Sequence, residues 1–237
     1  MLNKMKLKTF ALAITACTVY SAMAADTADV HVIGSISPAA CTPTISGGGT
    51  IDYGNIKASS LKADDYTVLD VKTLDIAITC SAPTVVGIHA INGRPNTLAG
   101  GGQSSVTGQS QQSPVVLLGM PTTYAVGLGL DGSTPIGGYA GKLDTSSVLL
   151  DGVAVEGLNA TSTDGSGTWS KYSKGVLYTP FGFDLFSWGA SGSSVPVAFT
   201  NMTGKLSVQA YINKSSELQL SKTINLDGLT TIELVYL

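Results

Sequence analysis

The chain has 237 residues, a net charge of −3 and only 12% charged residues. Its lysines and arginines are scattered, which excludes the clustered basic surface of a nucleic-acid-binding protein and leaves no basic patch for a membrane surface. The 28 glycines, with abundant serine and threonine, favour short strands and many turns, so we predict an all-β fold of the sandwich type.

The first 24 residues have the pattern of a secretory signal peptide. Lys4, Lys6 and Lys8 precede an apolar run over residues 10–20, and Ala22-Met23-Ala24 is a small-x-small cleavage site. The apolar run is shorter than the roughly 20 residues that a membrane-spanning helix needs. We expect cleavage after Ala24. Losing three lysines and no acid changes the net charge from −3 to −6, and we expect the remaining chain to be exported and soluble.

A short alternating segment precedes the first cysteine of the exported part. Its apolar and polar residues alternate with period 2, as in a strand, and one face carries Val30, Val32, Gly34 and Ile36. Pro38 ends the pattern. We therefore assign residues 25–37 to an N-terminal extension and residues 38–237 to a single β-sandwich domain.

Two cysteines remain after the predicted cleavage, because Cys17 lies in the leader. Cys41 and Cys80 in an exported chain predict one disulfide. Closing a loop of 39 positions would stabilise the fold by about 4 kcal/mol in the chain-entropy description. A metal site is disfavoured, because neither a Cys-x-x-Cys motif nor a histidine cluster accompanies the pair.

Runs rich in β-branched and aromatic residues predict the strands of the domain. A parity change near Lys72 predicts a β-bulge or two separate strands there, and Asn-Gly and Asp-Gly dipeptides supply hairpin turns. The polar segments Thr97–Ser113 and Asn159–Ser170 are predicted loops. The predicted strands are a short one around Ile51 and Tyr53, then Val68–Cys80, Thr84–Ile91, Val115–Leu118, Tyr124–Leu130, Val148–Val155, Val176–Tyr178, Val195–Phe199, Leu206–Ile212, Lys222–Leu226 and Thr230–Leu237.

The sequence contains no convincing catalytic, cofactor or metal motif. The G-x-G-x-x-G string at residues 127–132 is not followed by a helix, which a dinucleotide site requires. His31 and His89 lie on separate predicted strands without a nucleophile motif. The loop at Asp164 lacks the several carboxylates of a calcium site. We predict that the protein is not an enzyme and binds no cofactor.

Aromatic residues are densest between Trp169 and Trp188. Such residues can close one end of a sandwich core, or they can form a surface that binds a carbohydrate or another receptor. Both interpretations stay open at this stage.

The two ends of the exported chain complement one another. The C-terminal strand alternates through Ile232, Leu234 and Tyr236 and stops at Leu237, which predicts an open sheet edge. The segment from Val30 to Ile36 is an apolar strand without a hairpin turn. The two could pair between molecules by β-strand addition. The alternative is that this segment is the first strand of its own sandwich, and spacing does not decide between them.

The chain resembles the subunits of chaperone–usher pili (fimbriae), and more narrowly a fimbrial-like group of largely uncharacterised members. The features that carry the resemblance are the signal peptide, the stretches Val30–Ile36 and Pro38–Gly49, the run Ile51-Asp-Tyr-Gly54, the segment Thr79–Pro83, Gly127-Leu-Gly129, Ile136-Gly-Gly-Tyr139 and the C-terminal Glu233-Leu-Val-Tyr236-Leu237. The resemblance covers most of the exported chain.

The resemblance implies an immunoglobulin-like sandwich that lacks its last strand, in a structural subunit that supports cell adhesion. A periplasmic chaperone would hold the C-terminal strand through Ile232, Leu234, Tyr236 and Leu237. At an outer-membrane usher, the extension of a neighbouring subunit, with Val30, Val32, Gly34 and Ile36 facing the groove, would replace the chaperone, and the fibre would stand on the cell surface.

Two departures from the family pattern affect the details. Such subunits usually carry a glycine some fourteen residues from the end, where this chain has Ile224, and the nearest glycine is Gly228. The chain is also longer than a typical shaft subunit. The alternatives to a structural subunit are an adhesive subunit that binds a host glycan or surface receptor, and a small outer-membrane β-barrel.

Overall fold

The computed structural model describes residues 30–34, 39–101, 110–162, 164–180 and 184–237. The chain divides into two compact units, residues 1–37 and 38–237. In the first unit, residues 30–34 lie in no helix or strand, and the side chains of Val30, Val32 and Ile33 are exposed. The predicted signal peptide and Ile36 lie outside the described residues.

The second unit is all-β, which confirms the predicted fold class, and its described residues contain no α-helix. Short 3-10 helices occupy Ser46–Gly49, Ala58–Ser60, Thr145–Ser147 and Ser215–Glu217. The strands are β1 (Cys41–Ile45), β2 (Thr67–Val68), β3 (Lys72–Thr84), β4 (Val86–Asn92), β5 (Gln111–Gln112), β6 (Tyr124–Gly127), β7 (Leu130–Asp131), β8 (Thr134–Pro135), β9 (Gly137–Leu143), β10 (Leu149–Leu150), β11 (Val153–Ala154), β12 (Glu156–Thr161), β13 (Ser170–Lys171), β14 (Asp184–Gly189), β15 (Phe199–Ile212) and β16 (Thr230–Tyr236).

Two antiparallel sheets make up the sandwich. The larger sheet has the order β1-β3-β15-β9-β6-β5, with β2 and β10 also paired to β15 and β11 paired to β10. The smaller sheet has the order β13-β12-β14-β4-β16. Strands β7 and β8 form a separate hairpin. In the described residues, β1 pairs with β3 alone and β16 pairs with β4 alone, so each is an edge strand.

The core lies between the two sheets and follows from side-chain alternation. In β15 the side chains of Met202, Leu206, Val208 and Ile212 are buried on one face, with exposed or half-buried residues between most of them. Opposite them, β4 and β14 contribute apolar residues, of which Trp188 is the largest. A strand with one apolar face must pack that face against a second layer, which explains the sandwich.

The predicted disulfide joins Cys41 to Cys80, which confirms the inference from cysteine usage. The two residues are direct partners in the β1–β3 register, with Cα atoms 3.9 Å apart. The parity change near Lys72 is resolved as two strands, because β2 and β3 pair separately with β15.

Several predicted strands differ in the structure. Residues 115–118, 176–178 and 222–226 form no strand, and neither do Ile51 and Tyr53. Conversely, some strands form where none was predicted. Strand β12 continues into the predicted loop as far as Thr161, and β14 lies within the aromatic stretch. No helix in the described part of the chain is long and apolar enough to cross a membrane.

Candidate functional site

A groove of about 1380 Å³ opens at one side of the sandwich. Its floor is the inner face of the larger sheet, where β15 contributes Leu206, Val208 and Ile212 and β9 contributes Tyr139. These floor residues are 4–8% exposed, whereas Phe199 and Met202 elsewhere on β15 are fully buried. The chain therefore fills the inter-sheet space less completely at the groove than around Phe199 and Met202.

The first wall of the groove is residues 50–57, which follow β1. Ile51, Tyr53 and Ile56 turn toward the core and are half-buried, while Asp52 and Asn55 are exposed. The Tyr53 hydroxyl donates a hydrogen bond to the Val208 carbonyl at 3.4 Å, and burial raises the pKa of this hydroxyl. Residues 51–56 make no backbone-to-backbone hydrogen bond with any described residue, and the Gly54 amide donates to Asp52 Oδ1 at 2.6 Å. This wall therefore has no partner strand in the described part of the chain.

The second wall consists of residues 221–229 and continues into β16. Ile224 and Leu226 are half-buried, and Thr223 and Asn225 are exposed. The same alternation continues through β16, where Ile232 and Leu234 are half-buried. Residues 221–226 make no backbone-to-backbone hydrogen bond with another part of the described chain. This wall therefore has the side-chain pattern of a strand without a partner strand.

Two ion pairs attach the second wall to the rest of the domain. Arg94 donates two hydrogen bonds to the Asp227 carboxylate, at 2.8 Å from Nε and 2.6 Å from Nη2, and holds the pKa of that carboxyl below its ordinary value. Lys222 Nζ lies 2.6 Å from Asp131 Oδ1. The Asp227 amide also donates to the Leu128 carbonyl at 3.0 Å.

A cluster of three hydroxyls anchors the junction between this wall and β16. Tyr139 and Tyr178 each lie 2.7 Å from Thr230 Oγ1, and burial raises the pKa of both tyrosines. Gly228 packs directly on the Tyr139 ring, because a Cβ there would lie only 2.6 Å from Tyr139 Cε1. A side chain at position 228 would displace the wall from the floor.

The far end of β16 lies next to the disulfide-bonded strand. The Cys41 amide donates to the Tyr236 hydroxyl at 2.8 Å, and the Leu237 amide donates to the Val85 carbonyl at 3.0 Å. A hydrogen bond from the Tyr236 side chain therefore connects the edge strands β1 and β16.

The predicted C-terminal residues divide into two sets. Ile232 and Leu234 are half-buried against the core, whereas Tyr236 and Leu237 are 49% and 41% exposed. In the predicted extension, Val32 and Ile33 are 94% and 93% exposed, and Gly34 is also exposed.

The aromatic stretch packs mainly into the core. Tyr178, Phe186 and Trp188 are 2–6% exposed. Trp188 makes an edge-to-face contact with Phe199, with the two ring centroids 5.9 Å apart. Trp169 is half-buried, and Phe181 and Phe183 lie outside the described residues. This arrangement favours the interpretation that these residues close the sandwich. No group of metal-ligating side chains occurs in the described residues.

Sequence reasoning missed most of the groove walls. It assigned Ile51 and Tyr53 to a short strand and Lys222–Leu226 to another, without relating the two segments. The signal that could have revealed the walls is the alternation of apolar residues in both segments. The first segment follows edge strand β1, and the second precedes edge strand β16.

Comparison with known proteins gives relatives whose names state no activity. Residues 30–140 match the family described as "Protein of unknown function (DUF1120)". Protein GltF of Escherichia coli strain K12 is 29% identical over 240 residues, which covers 92% of each chain. Uncharacterized protein YhcF of the same strain is 28% identical over 228 residues, which covers 92% of this chain and 93% of the relative. No solved structure matches. The chain is thus similar over almost its whole length to two E. coli proteins, and over residues 30–140 to the DUF1120 family.

Proposed function

We propose that this protein is a structural subunit of a chaperone–usher pilus that polymerises by strand exchange and supports cell adhesion. Its groove accepts an extended strand from a neighbouring subunit, and its own residues 25–37 fill the groove of another subunit. The observation that carries the proposal is the groove itself. Its apolar floor lies between two walls, in which residues 51–56 and 221–226 make no backbone-to-backbone hydrogen bond with described residues.

The groove suits a polypeptide strand better than a small ligand. Its volume of about 1380 Å³ exceeds the roughly 300–1,000 Å³ of usual ligand pockets. Both walls present alternating apolar side chains and free backbone groups, which a strand pairing with either wall would satisfy. A small molecule would leave most of these donors and acceptors without partners.

The N-terminal extension has matching chemistry. Val30 and Val32 are exposed aliphatic residues two positions apart, the spacing that places side chains on one face of a strand. Each aliphatic side chain that the groove buries contributes roughly 1.5–3 kcal/mol. Three such side chains and a ladder of main-chain hydrogen bonds would make a strong joint between subunits.

The disulfide and the predicted leader agree with assembly in the periplasm, where disulfides form. In this proposal a periplasmic chaperone protects the groove and the C-terminal strand, an outer-membrane usher exchanges it for the next subunit, and the fibre emerges at the cell surface. The names of the relatives specify none of these partners, so support comes from the groove and from the resemblance to pilus subunits.

The test exploits the alternation of the extension. Val32→Asp places a charge on the face that would enter the groove, whereas the matched control Ile33→Asp places the same charge on the opposite face. Both positions are almost fully exposed in the free chain, so neither substitution should disturb the fold. Each full-length variant replaces the natural chain in its host, and surface polymers are sheared off and quantified with an antibody.

We expect polymers with Ile33→Asp and none with Val32→Asp. Normal polymers with both substitutions would refute strand donation by this segment. Absence of any surface polymer with the natural chain, under conditions in which it is exported, would refute the pilus function.

A further inference from the structure

The second wall of the groove keeps its position without backbone hydrogen bonds over residues 221–226. A polypeptide segment without such bonds is normally mobile, because little opposes its conformational entropy. Side chains must therefore hold this wall beside the floor, and Ile224 and Leu226 supply only half-buried contacts.

The two ion pairs lie at opposite ends of this stretch. Lys222 pairs with Asp131 at the tip of the β7–β8 hairpin, and Asp227 pairs with Arg94 in the turn after β4. Both partner residues, Asp131 and Arg94, lie outside the wall. Because the stretch is attached near both ends, its free backbone between them is kept extended along the groove.

The geometry of both pairs is better than that of an ordinary surface pair. Arg94 forms a bidentate contact with Asp227 and also donates from Nη1 to the Gly93 carbonyl at 3.0 Å, which fixes its guanidinium. The Asp131 side chain is only 11% exposed, so water screens its attraction to Lys222 less than at an open surface. By contrast, Asp52 and Lys57 in the first wall form no ion pair with described residues.

We infer that Arg94–Asp227 and Lys222–Asp131 are positioning pairs that hold the second wall ready for an incoming strand. This inference rests on the proposed function. Without the pairs, the wall must be ordered when the strand binds, and this ordering weakens binding because its entropy is then lost at that step. The pairs contact the wall and its supports, and the strand binds beside them.

The test measures binding of a fluorescent peptide of residues 25–37 to the full chain carrying Val32→Asp, whose own extension no longer competes. In this background, Asp227→Asn and Lys222→Gln each remove one pair. We expect each to raise the Kd of the peptide about tenfold, the scale of losing a preorganised segment. The thermal unfolding midpoint of the empty chain should stay within a few degrees, because the two side chains that are replaced, Asp227 and Lys222, are 60% and 57% exposed.

The matched control is Lys205→Gln, which removes the exposed Lys205–Asp75 pair of 2.9 Å away from the groove and should leave the Kd unchanged. The reversed pair Arg94→Asp with Asp227→Arg should restore binding to within about threefold. Unchanged Kd values for Asp227→Asn and Lys222→Gln, with tight binding by the background chain, would overturn the positioning role alone. Failure of the background chain to bind any peptide would overturn the proposed function and the inference together.

Discussion

The inter-sheet space of this domain has two halves that differ in how completely they are filled. In the filled half, four core side chains are 0–2% exposed: Trp188, Phe199, Ile78 and Met202. The rings of Trp188 and Phe199 contact each other edge to face. In the groove half, the same strands β3 and β15 present Leu74, Leu206 and Val208 to a cleft.

The difference lies in what covers each half rather than in the strands they share. Over the filled half, strands β12, β14 and β4 of the smaller sheet form a continuous layer. Over the groove, the chain supplies only two walls, residues 50–57 and 221–229, and no strand between them in the described residues. Alternating apolar side chains line both halves, but among the described residues only the filled half is covered by strands of a second sheet.

Truncation of the filled half should have the largest effect. Trp188→Ala removes a ring that is 2% exposed and should lower the free energy of unfolding by about 3–5 kcal/mol. Val208→Ala in the groove floor should lower it by about 1–2 kcal/mol, because fewer contacts surround it. Urea denaturation of both variants measures the contrast, and equal losses would mean that the groove half is as well packed as the other.

Loss of the disulfide should have the next largest effect. Replacing both Cys41 and Cys80 by alanine should lower the free energy of unfolding by about 2–4 kcal/mol, and it should also loosen β1, whose described partner is β3 alone. Because the Cys41 amide reaches Tyr236, we expect weaker binding of the residue 25–37 peptide as well. Denaturation and peptide titration of the same variant test the two effects, and unchanged peptide binding would separate the disulfide from the groove.

Filling the groove should produce a smaller gain in stability. A peptide of residues 25–37 at a hundred times its Kd should add about 2.7 kcal/mol to the chain carrying Val32→Asp. Ile224→Asp, which places a charge on the groove side of the second wall, should abolish this gain. The matched variant Asn225→Asp, on the exposed side, should keep it. Equal responses of the two variants would argue against the wall as a binding surface.

The sequence predicts a strand correctly where a segment has alternating apolar residues and its partner strand lies in the same chain. Most of β3, the second half of β15 from Leu206 to Ile212, and β16 follow from alternation, and the disulfide follows from the two cysteines of an exported chain. The predicted strand Val195–Phe199 was wrong except at Phe199, where β15 begins. Lys222–Leu226 has the same alternation but forms no strand, because no segment among the described residues pairs with its backbone. A strand requires a partner, and local pattern cannot reveal whether the chain contains one.

The missed strands have the opposite cause. All six residues of β14, Asp184–Gly189, are buried. The segment therefore shows no alternation between a polar and an apolar face. Strand β12 carries the polar residues Asn159 and Thr161 and therefore looked like a loop. Strand β14 is covered on both faces, and β12 is polar at one end. Both strands owe their conformation to their pairing with each other, and sequence periodicity does not encode that pairing.

The proposed strand exchange requires that backbone groups of the groove walls pair with a strand of another molecule. Amide hydrogen exchange on the full chain carrying Val32→Asp, with and without the residue 25–37 peptide, tests this directly. We predict fast exchange at residues 51–56 and 221–226 in the chain alone, slow exchange in β15, and clear protection of at least one wall when the peptide binds. Walls that already exchange as slowly as β15 without peptide, or that gain no protection at saturating peptide, would contradict the account.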